Sequence, residues 1–102
     1  MTIYIAGKIE GDAKYLEKFE AAENEIKAAG HKALNPARQQ QGMSNLYYAR
    51  VCLAMMESAD AVYFLPDWVE SKGAKLEKAW CEYVGKEIFF GKGWKMCVTK
   101  GE

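Results

Sequence analysis

The sequence predicts an α/β fold in which helices cover both faces of a parallel β-sheet. Three observations support this prediction. Strand-like segments alternate with helical segments, the loops between them are short, and the segment 60–65 is apolar throughout after its first residue. We therefore expect a single domain over residues 1–102, built as a Rossmann or flavodoxin-like three-layer sandwich with four or five parallel strands.

The first part of the chain predicts a strand, a helix and a weaker second strand. Residues 2–6 are mostly β-branched or aromatic, and residues 7–12 form a glycine-flanked loop. Apolar residues recur at helical spacing through 13–29, and Gly30 is well placed to end that helix. Residues 31–34 are a weaker candidate for a strand.

The rest of the chain predicts two more helices and two or three more strands. In order, these segments are a loop over a site at 37–43, a helix at 44–58, the strand at 60–65, a helix ending near residue 84, a strand at 87–90, and an edge strand or an arm to a neighbouring subunit at 94–98. In such sheets ligands bind beyond the carboxyl ends of the strands, where the strand order reverses. The loops after the first and third strands are therefore expected to form the site.

Composition argues against several classes of function. Fourteen basic residues balance fourteen acidic ones, which argues against a general binder of nucleic acid polymers or of membrane surfaces. The three cysteines have no metal-ligand spacing and fit no closed disulfide framework, which favours a reducing, cytoplasmic setting. No signal peptide or membrane-spanning run is visible. With one histidine and no ligand cluster, we expect no metal ion and no cofactor.

The segment 71–77 is the most informative, because it puts Glu77 on the apolar stripe of a helix. The residues three, four and seven positions away on that stripe are apolar. A carboxylate in such a position is an acid held for chemistry, a member of a structural ion pair, or a side chain that reaches solvent. Ser71 has the chemistry of a helix cap, and Gly73 would let an anion approach the first turn.

The predicted sheet brings other candidates to the same edge. Tyr4 lies in the first strand, Lys8 follows it, and Trp68 follows the third strand. Because parallel strands end at one edge, we expect these side chains to lie near Ser71 and Glu77. This convergence favours a functional interpretation of Glu77.

Several segments together resemble one protein family. They are Tyr4-Ile5-Ala6-Gly7, Ala29-Gly30-His31, Asn35-Pro36-Ala37, Asp60-Ala61-Val62-Tyr63, and Trp68 followed by Ser71, Gly73, Ala74 and Glu77. The chain is thereby similar to the small DUF4406 proteins of phages and bacteria, which belong to the nucleoside 2-deoxyribosyltransferase-like superfamily. The resemblance spans residue 3 to about residue 90.

The resemblance implies roles for individual residues. In better-understood relatives a Glu after the third strand attacks the sugar, and Glu77 matches it. Tyr4 matches a tyrosine that hydrogen-bonds this nucleophile, and Ser71 matches a serine that contacts a 5′-phosphate. Cys52 stands where the relatives carry a second acid, so Asp67 is the alternative proton donor, unless it is only a turn residue.

The remaining substrate-binding candidates surround these positions. Gly7, Lys8 and Gly73 are expected to line the substrate site, with Lys8 supplying charge for a phosphate. Trp68 and Tyr47 are expected to border the base, although helix packing is the other interpretation of Tyr47.

The implied function is that of a nucleotide-binding protein that acts on the N-glycosidic bond of a (deoxy)nucleoside 5′-monophosphate, as a hydrolase or a deoxyribosyltransferase. The alternative is a non-catalytic module that binds or sequesters a nucleotide, which the cysteine at position 52 favours. Because relatives build part of each site from a neighbour, the resemblance also implies a homodimer or a dimer of dimers.

Overall fold

The structure is a computed structural model that describes residues 1–38 and 44–96. Its centre is a four-stranded parallel sheet in the order β2-β1-β3-β4. The strands are β1 (Thr2–Ala6), β2 (Lys32–Leu34), β3 (Ala61–Phe64) and β4 (Glu87–Phe89), and the helices are α1 (Tyr15–Ala28), α2 (Asn45–Glu57) and α3 (Lys72–Val84). The predicted α/β class with a parallel sheet is confirmed, with four strands among the described residues.

Side chains alternate along β1 and divide the core between the two faces of the sheet. Ile3 and Ile5 pack in one cluster with the inner face of α1. Tyr4 and Ala6 pack in a second cluster with the inner faces of α2 and α3. The helices thus cover both faces, as the continuous apolar strands require, and Tyr4 belongs to the side that carries α2 and α3.

The order of the strands reverses at β1. The chain runs from β1 to β2 on one side, and then crosses to β3 on the other side of β1. The connections that leave β1 and β3 therefore diverge, which opens a crevice at the carboxyl ends of these two strands. This is the edge at which the sequence predicts the site.

Two serines cap the helices that begin beside this crevice, and a glycine ends α3 away from it. The Ser44 hydroxyl accepts a hydrogen bond from the Tyr47 amide at 3.3 Å at the start of α2. The Ser71 hydroxyl accepts one from the Ala74 amide at 3.1 Å at the start of α3. Gly85 ends α3 with a φ of 79°, a left-handed conformation that glycine adopts without strain.

The prediction of an edge strand or an arm from residue 94 onwards is wrong for the part that the structure describes. Gly93–Met96 form a short 3₁₀ helix. Trp94 is fully buried on the α1 side of the sheet, where it packs edge-on against Tyr63 with ring centroids 5.5 Å apart. Burial of the large indole outweighs the extended conformation that the local sequence suggests.

Two further 3₁₀ helices connect the main elements. Pro36–Arg38 follows β2, and Pro66–Glu70 joins β3 to α3. The loop predicted at 37–43 lies largely outside the described residues. Within the described part of the chain, every helix is too short or too polar to cross a membrane.

Candidate active site

A cavity of about 630 Å³ lies at the carboxyl ends of the central strands. Its walls come from the end of β1 and the loop that follows, from the turn after β2, and from the facing sides of α2 and α3. This is the crevice that the reversal of strand order creates. Of the sequence-predicted site residues, the structure brings six to this cavity, namely Tyr4, Gly7, Cys52, Ser71, Gly73 and Glu77.

Glu77 and Tyr4 form a short hydrogen bond in this cavity. The Tyr4 hydroxyl donates to Glu77 Oε2 at 2.6 Å, so the second turn of α3 is joined to β1. Burial raises the pKa of Glu77 to about 7, although the hydrogen bond from Tyr4 acts in the opposite direction. Burial, followed by the nearby charge of Glu77, also raises the pKa of Tyr4 well above its usual value. The pair therefore combines a carboxyl group that titrates near neutrality with a hydroxyl that stays protonated.

Cys52 lies beside this pair on the inner face of α2. Its side chain is buried, and it lines the cavity within the cluster that contains Tyr4. Burial raises the pKa of the thiol. At neutral pH Cys52 is therefore an uncharged thiol, not the carboxyl group that the resemblance associates with this position.

The N-terminus of α3 forms another part of the wall. Ser71, Lys72 and Gly73 line the cavity there. A methyl group added to Gly73 would meet only Ser71 Oγ, at 3.9 Å, so the space above this turn is open. The first amides of a helix have no carbonyl partner within it, and the helix dipole favours negative charge at this end. This wall can hold an anion.

The structure places the other four predicted site residues outside the wall of this cavity. Lys8 extends towards Glu70, with 3.7 Å between Nζ and Oε1, and Asp67 pairs with Lys18. Tyr47 and Trp68 also do not line the cavity wall.

Tyr47 and Trp68 lie outside the cavity wall for different physical reasons. Tyr47 is 59% exposed. Successive side chains point about 100° apart around a helix, so Tyr47 faces solvent while the next residue of α2 faces the cavity. Trp68 packs against Phe64 and Phe90, with ring centroids 5.8 and 5.5 Å away. Its indole packs over β3 and does not line the wall of the cavity.

Two tyrosines that the sequence interpretation did not select line the cavity instead. Tyr15 is the first residue of α1, and Tyr48 lies on α2. The Tyr48 hydroxyl donates to the Pro36 carbonyl at 3.1 Å, which fixes the ring against the turn after β2. Spacing could have identified Tyr48, because it lies four residues before Cys52 and therefore on the same face of the helix. No comparable signal marks Tyr15.

No group of three or more His, Cys, Asp or Glu side chains within residues 1–38 and 44–96 is arranged to hold a metal ion. The chemistry available from the described residues is that of a buried carboxyl group, phenol hydroxyls, a thiol and a helix N-terminus. These groups suit acid-base or nucleophilic chemistry on a small anionic molecule.

Comparison with known proteins agrees with this architecture. The profile of a domain of unknown function, DUF4406, matches residues 1–90. The chain belongs to the DUF4406 family. Among solved structures, a 2-deoxyribosyltransferase from Bacillus psychrosaccharolyticus matches this DUF4406 protein with a TM-score of 0.68 and 19% sequence identity, over 86% of this chain and 69% of that chain. The likeness shows a shared fold. No curated protein matches the sequence.

Proposed function

We propose that this DUF4406 protein binds a (deoxy)nucleoside 5′-monophosphate and cleaves its N-glycosidic bond, with Glu77 as the nucleophile. The observation that carries this proposal is the 2.6 Å hydrogen bond between Tyr4 and Glu77 inside the cavity. It holds a carboxyl group where a ligand can reach it. The shared fold with a 2-deoxyribosyltransferase supports the choice of bond.

In the proposed reaction a carboxylate oxygen of Glu77 forms a bond to C1′ of the sugar. The bond from C1′ to the base nitrogen breaks, and the base leaves with the electron pair and takes up a proton. Water then hydrolyses the glycosyl ester, or a second base accepts the sugar. Tyr4 keeps the attacking carboxylate in one orientation. Because the pKa of Glu77 is about 7, the nucleophilic form predominates above neutral pH.

The phosphate is assigned to the N-terminus of α3. The Ser71 oxygen accepts a hydrogen bond from the Ala74 amide, which leaves its hydroxyl hydrogen available to an anion. The open space at Gly73 admits a phosphate to the first turn, and Lys72 adds positive charge to this wall. A 5′-monophosphate is therefore expected to bind more tightly than its nucleoside.

The base is assigned to the aromatic side of the cavity, between Tyr15 and Tyr48. These two residues come from different helices and line the same space. They replace Tyr47 and Trp68, which the sequence suggested for this role. Alanine at position 48 is expected to weaken nucleotide binding about tenfold or more, whereas alanine at the exposed Tyr47 is the matched control and should leave it unchanged.

A non-catalytic nucleotide-binding module is the second candidate function. The observation that favours it is the buried, uncharged thiol of Cys52 beside Glu77. A protonated thiol with a raised pKa is a poor donor for a leaving base. Such a protein would bind the nucleotide and release no base.

The decisive experiment uses matched pairs of deoxynucleosides and their 5′-monophosphates, with free base measured by chromatography and binding by calorimetry. We expect base release from a monophosphate, with a loss of about 1,000-fold or more in Glu77→Gln, because an amide is no nucleophile. Glu82→Gln is the control on the exposed face of the same helix. Binding without base release would favour the second candidate, and no binding of any member would contradict both.

We also propose that the protein assembles as a homodimer or a dimer of dimers. Leu46 and Leu76 are 60% and 57% exposed, and Leu76 itself lines the cavity. Large apolar side chains that are exposed to solvent are typical of surfaces covered by a partner. Light scattering that gave the monomer mass of 11.5 kDa at micromolar concentration would contradict this.

A further inference from the structure

The wall of the cavity formed by the loop after β1 is held by side chains that lie outside the cavity. Both polar groups of the Lys8 backbone are bound. Its amide donates to Asp67 Oδ1 at 3.0 Å, and its carbonyl accepts from Lys18 Nζ at 2.9 Å. A loop residue that could have bonded water is thus fixed from two sides.

Lys18 links three parts of the chain at this point. Besides the Lys8 carbonyl, its ammonium group pairs with Asp12 Oδ2 at 2.6 Å and with Asp67 Oδ2. Asp12 lies at the end of the loop, and Asp67 belongs to the 3₁₀ helix after β3. Burial lowers the pKa of Lys18, but the hydrogen bonds to both carboxylates outweigh this and raise it, so the ammonium stays charged. Without this charge each carboxylate would keep only a backbone amide donor, that of Lys14 for Asp12 at 2.9 Å and that of Lys8 for Asp67 at 3.0 Å.

Gly7 makes the close approach of these segments possible. A Cβ at this position would lie 2.9 Å from Leu65 Cδ1 and 3.2 Å from Asp67 Oδ1. Because glycine has no side chain, the end of β1 can lie this close to Leu65 and Asp67. The loop that follows then supplies Gly7, Ile9 and Glu10 to the wall of the cavity.

We propose that Lys18, bridging Asp12 and Asp67 around the Lys8 peptide, is a positioning residue that holds the loop after β1 in its ligand-binding arrangement. It acts through the loop and touches no part of the cavity itself. Its contribution to substrate binding rests on the proposed function. Without Lys18 the loop is expected to sample other arrangements. The apparent affinity then falls in proportion to the fraction of molecules whose loop keeps the ligand-binding arrangement.

The test compares Lys18→Met with Lys18→Arg, which keeps the charge, and with Lys14→Met, which removes an exposed lysine near the start of the same helix. Hydrogen exchange is measured first, without any ligand. We expect amides in residues 7–12 to exchange about tenfold faster or more in Lys18→Met, with partial recovery in Lys18→Arg and no change in Lys14→Met. Amides of β3 and α3 should be unaffected. Unchanged exchange in the loop, or equal acceleration everywhere, would overturn the assignment.

Nucleotide binding and turnover are measured on the same variants. We expect the KM for the deoxynucleoside 5′-monophosphate to rise about tenfold in Lys18→Met, while kcat changes by less than about twofold. Faster loop exchange with an unchanged KM would show that the loop does not contribute to binding and would overturn the proposal. If the wild-type protein binds no nucleotide, the proposed function fails, whereas the exchange result still decides whether Lys18 holds the loop.

Discussion

Two glutamates of the described chain are largely removed from solvent, and their surroundings shift their acidity in opposite directions. Glu23, on α1, accepts a hydrogen bond from Asn35 Nδ2 at 3.0 Å and pairs with Lys27 at 2.8 Å and with Arg38 at 3.0 Å. Burial raises its pKa, but these three partners together lower it to about 2. Glu77 instead has one neutral hydrogen-bond donor, Tyr4, and burial raises its pKa to about 7.

Burial alone therefore does not distinguish a structural acid from a functional one. The number and the charge of the partners decide the direction in which the pKa moves. Glu23 is neutralised by its neighbours and supports the turn after β2, since Asn35 also accepts a hydrogen bond from the Ala37 amide at 2.9 Å. Glu77 is hydrogen-bonded to a neutral hydroxyl at the surface of the cavity, which suits the role of nucleophile proposed for it.

The largest effect should come from neutralising Glu77, the proposed nucleophile. A group whose pKa rises from 4.5 to about 7 on folding binds a proton in the folded state that the unfolded chain releases. Its stabilising contribution is complete below pH 4.5 and is lost as the pH rises through about 7. Glu77→Gln should therefore raise the free energy of unfolding relative to wild type by roughly 3 kcal/mol at pH 8.5, and by much less at pH 5.

Urea denaturation of Glu77→Gln and of the control Glu82→Gln at these two pH values measures this difference. If Glu77→Gln proved less stable than wild type at pH 8.5, Glu77 would belong to a structural ion pair. In that case the contrast with Glu23 would disappear.

The structural acid should respond with the opposite sign. Glu23→Gln removes the charge that Lys27 and Arg38 neutralise, and the free energy of unfolding should fall by about 1 to 2 kcal/mol at pH 7. The loss stays below that of a fully buried pair because both basic side chains are more than half exposed. Glu20→Gln, at an exposed position of the same helix, is the control.

The pH dependence of this second effect provides an independent check. Since folding lowers the pKa of Glu23 from 4.5 to about 2, its stabilising contribution is present above pH 4.5 and is lost as the pH falls through about 2. Wild type and Glu23→Gln should therefore converge in stability near pH 2. A difference that persisted there would show that packing, and not charge, explains the variant.

The sequence predicted only part of the contrast between the two glutamates. Glu77 could be recognised because it lies on the apolar stripe of a helix near a capping serine, and both observations are local. Glu23 also lies on the apolar stripe of its helix, four residues after Phe19 and three before Ile26. Two of its partners, Asn35 and Arg38, are 12 and 15 residues away in the chain, so no local pattern shows that they neutralise it. Lys18 likewise meets Asp67 across 49 residues, and the sequence interpretation treated Asp67 as a candidate acid or a turn residue.

The fold was more predictable than the site for the same reason. Hydrophobic periodicity and short loops determine the order and type of the elements, and these gave the parallel sheet and its crevice. The direction of individual side chains at the crevice depends on finer details. Rotation around the axis of α2 directs Tyr48 to the cavity and Tyr47 to solvent, and Trp68 packs over β3 instead of lining the cavity. Burial of Trp94 against Tyr63 similarly overrides its local preference for an extended strand.

The smallest predicted effect concerns the pH dependence of catalysis. If ionised Glu77 is the nucleophile, base release should rise about tenfold between pH 6 and pH 8, because the carboxylate fraction follows a pKa of about 7. Initial rates at saturating nucleotide across this range measure the midpoint. A flat profile would mean that Glu77 is not the titrating group that limits the reaction.

Tyr4→Phe sharpens the assignment of that midpoint. The Tyr4 hydroxyl lowers the pKa of Glu77, so its removal should move the midpoint of the rate profile to higher pH, by up to about one pH unit, as expected for one neutral hydrogen bond. Glu23→Gln should leave the midpoint where it is, because that carboxylate interacts with the turn after β2 and not with Tyr4. If both variants moved the midpoint equally, the two glutamates would belong to one coupled network, and their opposite pKa values could not be attributed to their separate partners.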